Sequence, residues 1–260
     1  MWATQELSRT AIMYIQSKVF IIIAALTLDR QADGGGIIGG HEAVPHSRPY
    51  MALVEMLSTD NKISYCDGFL ISQDFVMTAA HCRNKSYKVF LGVHNFNKNE
   101  TMYQIIPVND AFPHQDFKAT KPPQNDLMLL KLSSKANFNN YVKPIELADH
   151  VCDSCPERCL VSGWGHCNSN TNSCRKLMEV NITLVHLDKC NKSHVYCSKG
   201  NTGPAHGDSG GPLVCEDGKA YGVISFTYQP HSNDEPIHGF ARISDYREWI
   251  EQTMTHKANP

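Results

Sequence analysis

Short apolar segments separated by turn residues fill the chain after residue 36, and they constrain its fold more than any other feature. Each segment has six to nine residues and is rich in residues that favour β-strands. A chain of many short strands buries its apolar faces by closing into a barrel or by pairing two sheets. We therefore predict an all-β fold with strands in segments 50–57, 74–80, 88–93, 103–108, 126–132, 158–164, 177–185 and 218–226.

The C-terminal end has a helical pattern. Tyr246, Trp249 and Ile250 recur at helical spacing, and Ser244 or Asp245 ahead of them can cap the first turn. We predict a C-terminal α-helix there.

Composition and charge argue against several classes of partner. The 260 residues are 42% hydrophobic and 19% charged, as in ordinary globular domains, and 24 basic against 26 acidic residues give a formal net charge of -2. We therefore expect no binding of nucleic acid or of an anionic membrane surface through bulk charge.

Ten cysteines indicate disulfides and an oxidising compartment. Their number is even, and no C-x2-C pair repeats at zinc-ribbon spacing, which favours disulfides over a metal site. We expect no metal and no other cofactor. The ten are Cys66, Cys82, Cys152, Cys155, Cys159, Cys167, Cys174, Cys190, Cys197 and Cys215.

The N-terminus supports secretion. Residues 19–28 form an apolar run behind Lys18 that has the length of a signal-peptide core and is too short to span a bilayer. We predict a cleaved signal peptide over residues 1–34, and the lack of a second long apolar run predicts no membrane anchor. Asn-x-Ser/Thr motifs mark candidate glycosylation sites at Asn84, Asn99, Asn181 and Asn191.

The segment GDSGGPLVC at 207–215 contains a candidate nucleophile. A serine flanked by glycines can sit on a tight turn with its hydroxyl exposed. The backbone N–H groups of Gly207 and Ser209 could then point at one oxygen, as an oxyanion hole requires. A serine hydroxyl alone is a weak nucleophile, so this interpretation needs a base and a group that orients the base.

Two further segments supply those groups. His81 in TAAHC, at the end of an apolar segment, is the candidate base. Asp126 opens the apolar segment DLMLLKL, where a buried carboxylate would need a partner such as an imidazole N–H. Each residue alone has an ordinary structural explanation, but together they predict a Ser-His-Asp triad.

The three motifs occur in the order His81, Asp126, Ser209 and resemble those of the chymotrypsin-like serine proteases over residues 37–254. The resemblance implies two six-stranded antiparallel β-barrels, an active site between the barrels and a C-terminal α-helix. We expect the link between the two barrels near residues 118–136, because Pro122, Pro123 and a polar stretch lie there, near the middle of the chain. It also implies a serine endopeptidase that cleaves protein or peptide substrates through an acyl-enzyme, with serpin-type proteins as inhibitors.

The same resemblance implies three disulfides, Cys66–Cys82, Cys159–Cys215 and Cys190–Cys197. The other four cysteines have no counterpart in the family's common set and allow three pairings. Proximity in the sequence favours Cys152–Cys155 and Cys167–Cys174. A redox role for the first of these two pairs is not favoured, because no βαβ pattern surrounds it.

The segment IIGGHEAVPHSRPYMA at 37–52 resembles the start of granzymes, duodenase-like enzymes and mast-cell proteases such as chymases. Ala205, and the lack of a partner cysteine after Phe226, are also typical of that branch. The resemblance implies secretion with storage in granules. Granule proteases are commonly strongly basic, whereas this chain is not, so secretion without storage is the alternative.

By resemblance, a substrate pocket is formed by residues before Ser209 and by the strand at 225–227. Gly203 stands where trypsin-like relatives carry an Asp that binds Lys or Arg. Because glycine has no charge, specificity for Lys or Arg is not expected. Thr227 replaces a glycine that lets large substrate side chains enter the pocket in wide-pocket relatives. We therefore expect the pocket to prefer small or medium apolar side chains. The expected pocket residues are Gly203, His206, Ser225, Phe226, Thr227 and His238.

His238 has two interpretations. In one it approaches the base of this pocket, where its protonated form would accept an acidic side chain. In the other it is a surface loop histidine.

The family also implies activation by proteolysis. A freed N-terminal Ile pairs its ammonium with the Asp before the nucleophile, here Ile37 with Asp208. The chain must then be cut before Ile37, which makes residues 37–260 the protease domain. Signal cleavage after residue 34 would leave Gly35 and Gly36 as an activation dipeptide, which a dipeptidyl peptidase removes in granule proteases.

A second hypothesis is a catalytically silent binding or defence protein with a protease fold. Inactive relatives usually lack the His or the Ser of the triad, whereas this chain has both. Reaction of Ser209 with a fluorophosphonate would separate the two hypotheses.

Overall fold

The computed structural model describes residues 36–96, 103–149, 157–165 and 176–258. The signal peptide predicted over residues 1–34 lies outside these ranges, as do Gly35 and Asn99. So do the two uncertain disulfides, which involve Cys152, Cys155, Cys167 and Cys174. Within the described ranges, no helix is long and apolar enough to cross a membrane.

Six antiparallel strands close the first barrel, in the order β2-β3-β4-β7-β6-β5. Fully buried side chains such as Val54, Phe69, Met77 and Leu129 fill its core. Burial of such side chains is the main favourable term in folding, which explains why these apolar segments become strands here. The strands are β2 (Met51–Leu57), β3 (Ile63–Leu70), β4 (Phe75–Thr78), β5 (Ser86–Leu91), β6 (Gln104–Pro113) and β7 (Met128–Leu132).

Six further antiparallel strands form the second barrel, in the order β9-β10-β13-β12-β11-β8, and a pairing of β8 with β9 closes it. The short strand β1 (His41–Glu42) pairs with Met178 and Glu179 at the start of β9. The predicted architecture of two six-stranded barrels is confirmed. The strands are β8 (Arg158–Gly163), β9 (Met178–Val185), β10 (Val195–Lys199), β11 (Pro212–Cys215), β12 (Ala220–Tyr228) and β13 (Ile237–Arg242).

Two α-helices accompany the barrels in the described part of the chain. The C-terminal helix α2 (Arg247–Ala258) follows a 3₁₀ turn over Ile243–Tyr246, so the predicted helix is present. Tyr246, which starts its apolar pattern, lies in the turn. The short helix α1 (Asp188–Lys192) was not predicted, because its five residues are mostly polar and carry no apolar periodicity.

Most of the segment expected to link the barrels, residues 118–136, belongs to the first barrel, and the link begins later in the chain. Residues 118–136 contain the β6–β7 loop and β7 itself, so the chain leaves the first barrel only after Leu132. Lys118 and Gln124 hydrogen-bond each other through their backbones and close this proline-containing loop on itself. The prolines therefore lie within the first barrel.

Three disulfides occur in the described residues, Cys66–Cys82, Cys159–Cys215 and Cys190–Cys197. The first ties β3 to the turn that follows β4. The second joins paired residues of β8 and β11. The third connects α1 to β10, and no cysteine in the described ranges is free.

Candidate active site

The pairing of β4 with β7 brings His81 close to Asp126. In this antiparallel pair Thr78 lies opposite Met128, so the chain after Thr78 runs past the chain before Met128. β4 is followed by a 3₁₀ turn over Ala80–Cys82 that contains His81. The pairing of these two strands therefore brings together His81 and Asp126, which are 45 positions apart in the sequence.

Three donors hold the Asp126 carboxylate, which is 1% exposed. The backbone N–H of His81 donates to Oδ1 at 2.8 Å, and His81 Nδ1 lies 2.7 Å from Oδ2. The Ser225 hydroxyl also donates to Oδ2. Because an ionised carboxylate only accepts hydrogen bonds, Nδ1 carries the imidazole proton. His81 Nε2 is left as the basic nitrogen of a ring that is one-third exposed.

Ser209 lies on a tight turn that packs against the end of β4. Gly211 N–H donates to the Asp208 carbonyl at 3.1 Å, and the Ser209 carbonyl accepts from Asp67 N–H at 2.8 Å. Gly210 has φ +87°, and a Cβ at this position would lie 2.1 Å from Thr78 Oγ1. Only a glycine permits this approach, and it brings the turn beside the chain that leads to His81.

The backbone N–H groups of Gly207 and Ser209 are available at this turn. Gly207 is buried with φ +102°. Within the described ranges, neither N–H has a hydrogen-bond partner. Two such donors beside a serine hydroxyl can stabilise negative charge on a substrate oxygen. His206, just before them, is exposed.

Asp208 is buried beneath this turn and holds it from inside. Oδ2 accepts from Ala205 N–H at 2.7 Å, and Oδ1 accepts from Gly165 N–H at 2.8 Å. Burial raises the pKa of Asp208 to about 7, although both N–H donors act in the opposite direction. A carboxylate in this environment would gain stability from a cation.

Ile37 is buried and belongs to the core of the second barrel. The next residue, Ile38, exchanges two backbone hydrogen bonds with Gly203, at 2.8 and 3.1 Å. A Cβ on Gly40 would lie 2.5 Å from the Glu179 carbonyl oxygen, so a glycine is needed where the chain enters. The segment from Ile37 thus docks on the loop that precedes Ser209.

His238 is a buried residue of β13 and not a surface loop histidine. Its Nε2 lies 3.2 Å from the Gly200 carbonyl oxygen, and its Nδ1 lies 3.0 Å from Thr227 Oγ1. Because a carbonyl only accepts, Nε2 carries the proton, and Nδ1 of the neutral ring accepts from the threonine. Burial lowers the pKa of His238, although the bond to Gly200 opposes this, so the ring is neutral at neutral pH.

The His238 ring lies directly against Gly203. A Cβ on Gly203 would be 2.8 Å from His238 Nε2, so the imidazole fills the space into which a larger side chain would point. Thr227 is exposed beside the ring, and the half-buried Phe226 packs on Gly239. The structure thus brings together all the expected pocket residues except His206 and Ser225, whose hydroxyl is directed to Asp126.

Residues 37–250 match the model of the Trypsin family, which covers most of the described chain. The chain belongs to the trypsin family. It is a serine endopeptidase, a hydrolase of peptide bonds.

Relatives within the trypsin family agree with the branch expected from the sequence. Granzyme B(G,H) of Mus musculus is 38% identical and covers 91% of this chain and 98% of its own length. Duodenase-1 of Bos taurus is 38% identical, with 91% and 96% covered. Mast cell protease 3 of Ovis aries is 38% identical, with 93% and 98% covered. A solved structure of GrC superposes with a TM-score of 0.74 at 37% identity, over 85% of this chain and all of its own.

Sequence reasoning missed two residues of this trypsin-family site, Asp67 and Thr78, and it missed the contact that the expected pocket residue Ser225 makes with Asp126. Asp67 and Thr78 contact the Ser209 turn. Asp67 lies in β3, which was not among the predicted strands. One signal in the sequence could have identified Asp67. It places a carboxylate directly after Cys66, in a segment that ends in the apolar residues Phe69 and Leu70.

One group of His and Cys residues in the described ranges has spacing that could hold a metal, namely Cys66, His81 and Cys82. The two sulfurs are joined in a disulfide, so the group offers no thiolate ligand.

Three of the four glycosylation motifs are described. Asn181 and Asn191 are exposed, and Asn84 is half-buried. The Asn191 side-chain oxygen also accepts from the Arg242 guanidinium at 3.3 Å.

Proposed function

We propose that this endopeptidase uses Ser209 as its nucleophile. The hydroxyl attacks the peptide carbonyl while His81 Nε2 takes its proton, and the tetrahedral oxyanion is held by the N–H groups of Gly207 and Ser209. His81 then returns the proton to the leaving amine, which gives an acyl-enzyme that water hydrolyses by the same steps. The supporting observation is the buried Asp126 carboxylate, which fixes His81 with its proton on Nδ1.

The proposed primary pocket accepts small or medium apolar side chains. Gly203 contributes no charge, and the neutral His238 ring fills the space beside it. Both ring nitrogens are engaged, so an acidic substrate side chain would have to displace a hydrogen bond from a ring that is neutral at neutral pH. The acidic preference considered from the sequence therefore requires a protonated His238, which burial opposes.

We further propose that the enzyme is secreted as an inactive precursor. A signal peptide over residues 1–34 would be removed first, and a dipeptidyl peptidase would then remove Gly35 and Gly36. The freed Ile37 ammonium would pair with Asp208 and order the loop that carries the oxyanion donors. The supporting observations are the burial of both residues and the docking of Ile38 on Gly203.

Storage in granules, control by serpin-type inhibitors and glycosylation complete this proposal. Names among the relatives, such as granzyme and mast cell protease, support a cell-specific secreted enzyme. The exposed Asn181 and Asn191 offer accessible acceptors for glycans.

The test of this proposal is active-site labelling followed by substrate profiling. The mature protein should react with a fluorophosphonate probe, whereas Ser209→Ala should not. N-terminal sequencing of the labelled form should begin at Ile-Ile-Gly-Gly. A peptide library should be cut mainly after small or medium apolar residues. Absence of labelling would favour the silent binding protein, and cleavage mainly after Lys or Arg would contradict the proposed pocket.

A further inference from the structure

Asp67 is a second buried carboxylate beneath the Ser209 turn. It is 0% exposed, and its Oδ2 accepts from Trp164 N–H at 3.2 Å. Its Oδ1 is buried and has no hydrogen-bond partner within the described ranges. A buried carboxylate oxygen without a partner destabilises a fold, so its presence calls for a ligand or a proton.

The Asp67 and Asp208 carboxylates face each other across Gly163. A Cβ on Gly163 would lie 2.2 Å from Asp208 Oδ1 and 2.5 Å from Asp67 Oδ2. The two oxygens are therefore within roughly 5 Å of each other, where like charges interact strongly. Two carboxylates this close and out of water do not both ionise in the usual pH range of carboxyl groups, so the pair retains one shared proton until the pH is raised.

Among the described residues, the elements around the pair supply hydrogen-bonding groups and no cation. The Thr78 hydroxyl of β4 donates to the Asp67 carbonyl, and Trp164 N–H bonds the carboxylate. Within the described ranges, neither carboxylate forms an ion pair with Lys, Arg or His, and the charge that acts on Asp67 is that of Asp208. Burial, followed by this charge, raises the pKa of Asp67 well above its usual value.

The chain at the proposed cleavage point lies next to this pair. A Cβ on Gly36 would be 3.5 Å from the carbonyl carbon and oxygen of Trp164. This carbonyl shares a peptide bond with Gly165 N–H, which donates to Asp208. Trp164 N–H, at the other end of the same residue, donates to Asp67. Ile37, the residue whose amine would be released, directly follows Gly36 and is buried.

We propose that Asp67 is a second positioning carboxylate for the freed Ile37 ammonium, which would face an Asp67–Asp208 pair that holds one shared proton. This inference rests on the proposed activation at Ile37. At neutral pH the pair carries one negative charge, which the ammonium balances. As the pH rises the pair can lose its proton, and two negative charges then hold the ammonium. Asp67 thereby keeps the oxyanion loop ordered at alkaline pH, where an α-amine would otherwise deprotonate.

The experiment compares the pH profile of the mature enzyme with that of Asp67→Asn. Asparagine resembles the protonated acid in shape, so kcat/KM near neutral pH should stay within about threefold of wild type, well below the effect of losing a charged partner. The alkaline limit of activity should fall by about one pH unit or more, because only one carboxylate remains opposite the ammonium. Asp245→Asn, which removes a mostly buried carboxylate near helix α2, should leave the limit unchanged.

The proposal is overturned if the alkaline limit of Asp67→Asn is the same as that of wild type. This holds even if the thermal stability of the variant falls. If that variant does not fold, infrared spectroscopy of the wild-type mature enzyme decides. A protonated carboxylic acid that persists at neutral pH and is lost at alkaline pH supports the pair, and its absence overturns it. Failure of the wild type to react with a fluorophosphonate would instead refute the proposed function, and the infrared measurement does not depend on activity.

Discussion

The Tyr246 hydroxyl donates a hydrogen bond to the Asn125 side-chain oxygen at 3.0 Å. Asn125 has φ +52°, a left-handed conformation that few residues other than glycine and asparagine adopt readily. It directly precedes Asp126, whose carboxylate holds His81. The turn before the C-terminal helix thus supports the loop that positions the candidate catalytic carboxylate.

Tyr246→Phe should therefore lower kcat about fivefold and leave KM nearly unchanged, since one hydrogen bond contributes about 1 kcal/mol to this positioning. Steady-state kinetics on a single peptide substrate will measure the split. Tyr221→Phe, which removes a hydroxyl bonded to the exposed Asp217, serves as the control and should have no effect. An equal loss in both variants would mean that the Asn125 contact does not position Asp126.

Asp126→Asn should lower kcat about ten-thousand-fold, the loss caused by the same substitution in another Ser-His-Asp protease. The amide would donate to His81 Nδ1 and leave the proton on Nε2, where the base must be free. The variant should keep its fold. Kinetics and thermal unfolding should therefore both be measured, so that a loss of kcat is distinguished from unfolding. Asp116→Asn, at an exposed position of the same loop, should retain full activity.

His238→Ala should widen the proposed pocket. Removal of the imidazole opens space beside Gly203 and frees the Thr227 hydroxyl. Cleavage in a peptide library should shift toward large apolar residues such as Phe and Leu. His94→Ala, at another buried histidine, should keep the wild-type profile, and a shift in both variants would show that the pocket is not what changed.

The strands that were predicted from the sequence are those with long apolar runs. Segments 50–57, 126–132 and 177–185 all contain strands, with ends that differ by up to two residues. Three of the missed strands, β3, β10 and β11, are short or partly polar. β11 has four residues, β10 ends in Ser-Lys, and β3 begins with exposed residues, so their pairing partners rather than their composition make them strands.

The candidate site was predictable to the extent that its motifs are local. GDSGGP and TAAHC identified residues, whereas contacts across barrels could not be read from spacing. The Ser225 hydroxyl reaches Asp126 over 99 residues, and Asp67 meets Asp208 through strand β3. Both depend on register, which a single sequence without the pairing does not reveal.

The Asp67–Asp208 pair also predicts how the stability of the uncleaved chain depends on pH. In the unfolded chain both carboxyls ionise near pH 4, whereas the folded pair retains a proton because its pKa values are raised. The native state then binds more protons than the unfolded state above that pH, so stability falls as the pH rises, by up to about 1.4 kcal/mol per pH unit for one proton.

Asp67→Asn removes the repulsion between the two carboxylates, so this variant should lose less stability as the pH rises. It should resemble wild type near about pH 4 and be more stable near about pH 7. Urea unfolding of both chains, made in the Ser209→Ala background to prevent self-cleavage, will give the two pH dependences. The Asp245→Asn control should not become more stable than wild type between these pH values. Parallel curves for wild type and Asp67→Asn would show that the two buried carboxylates do not share a proton.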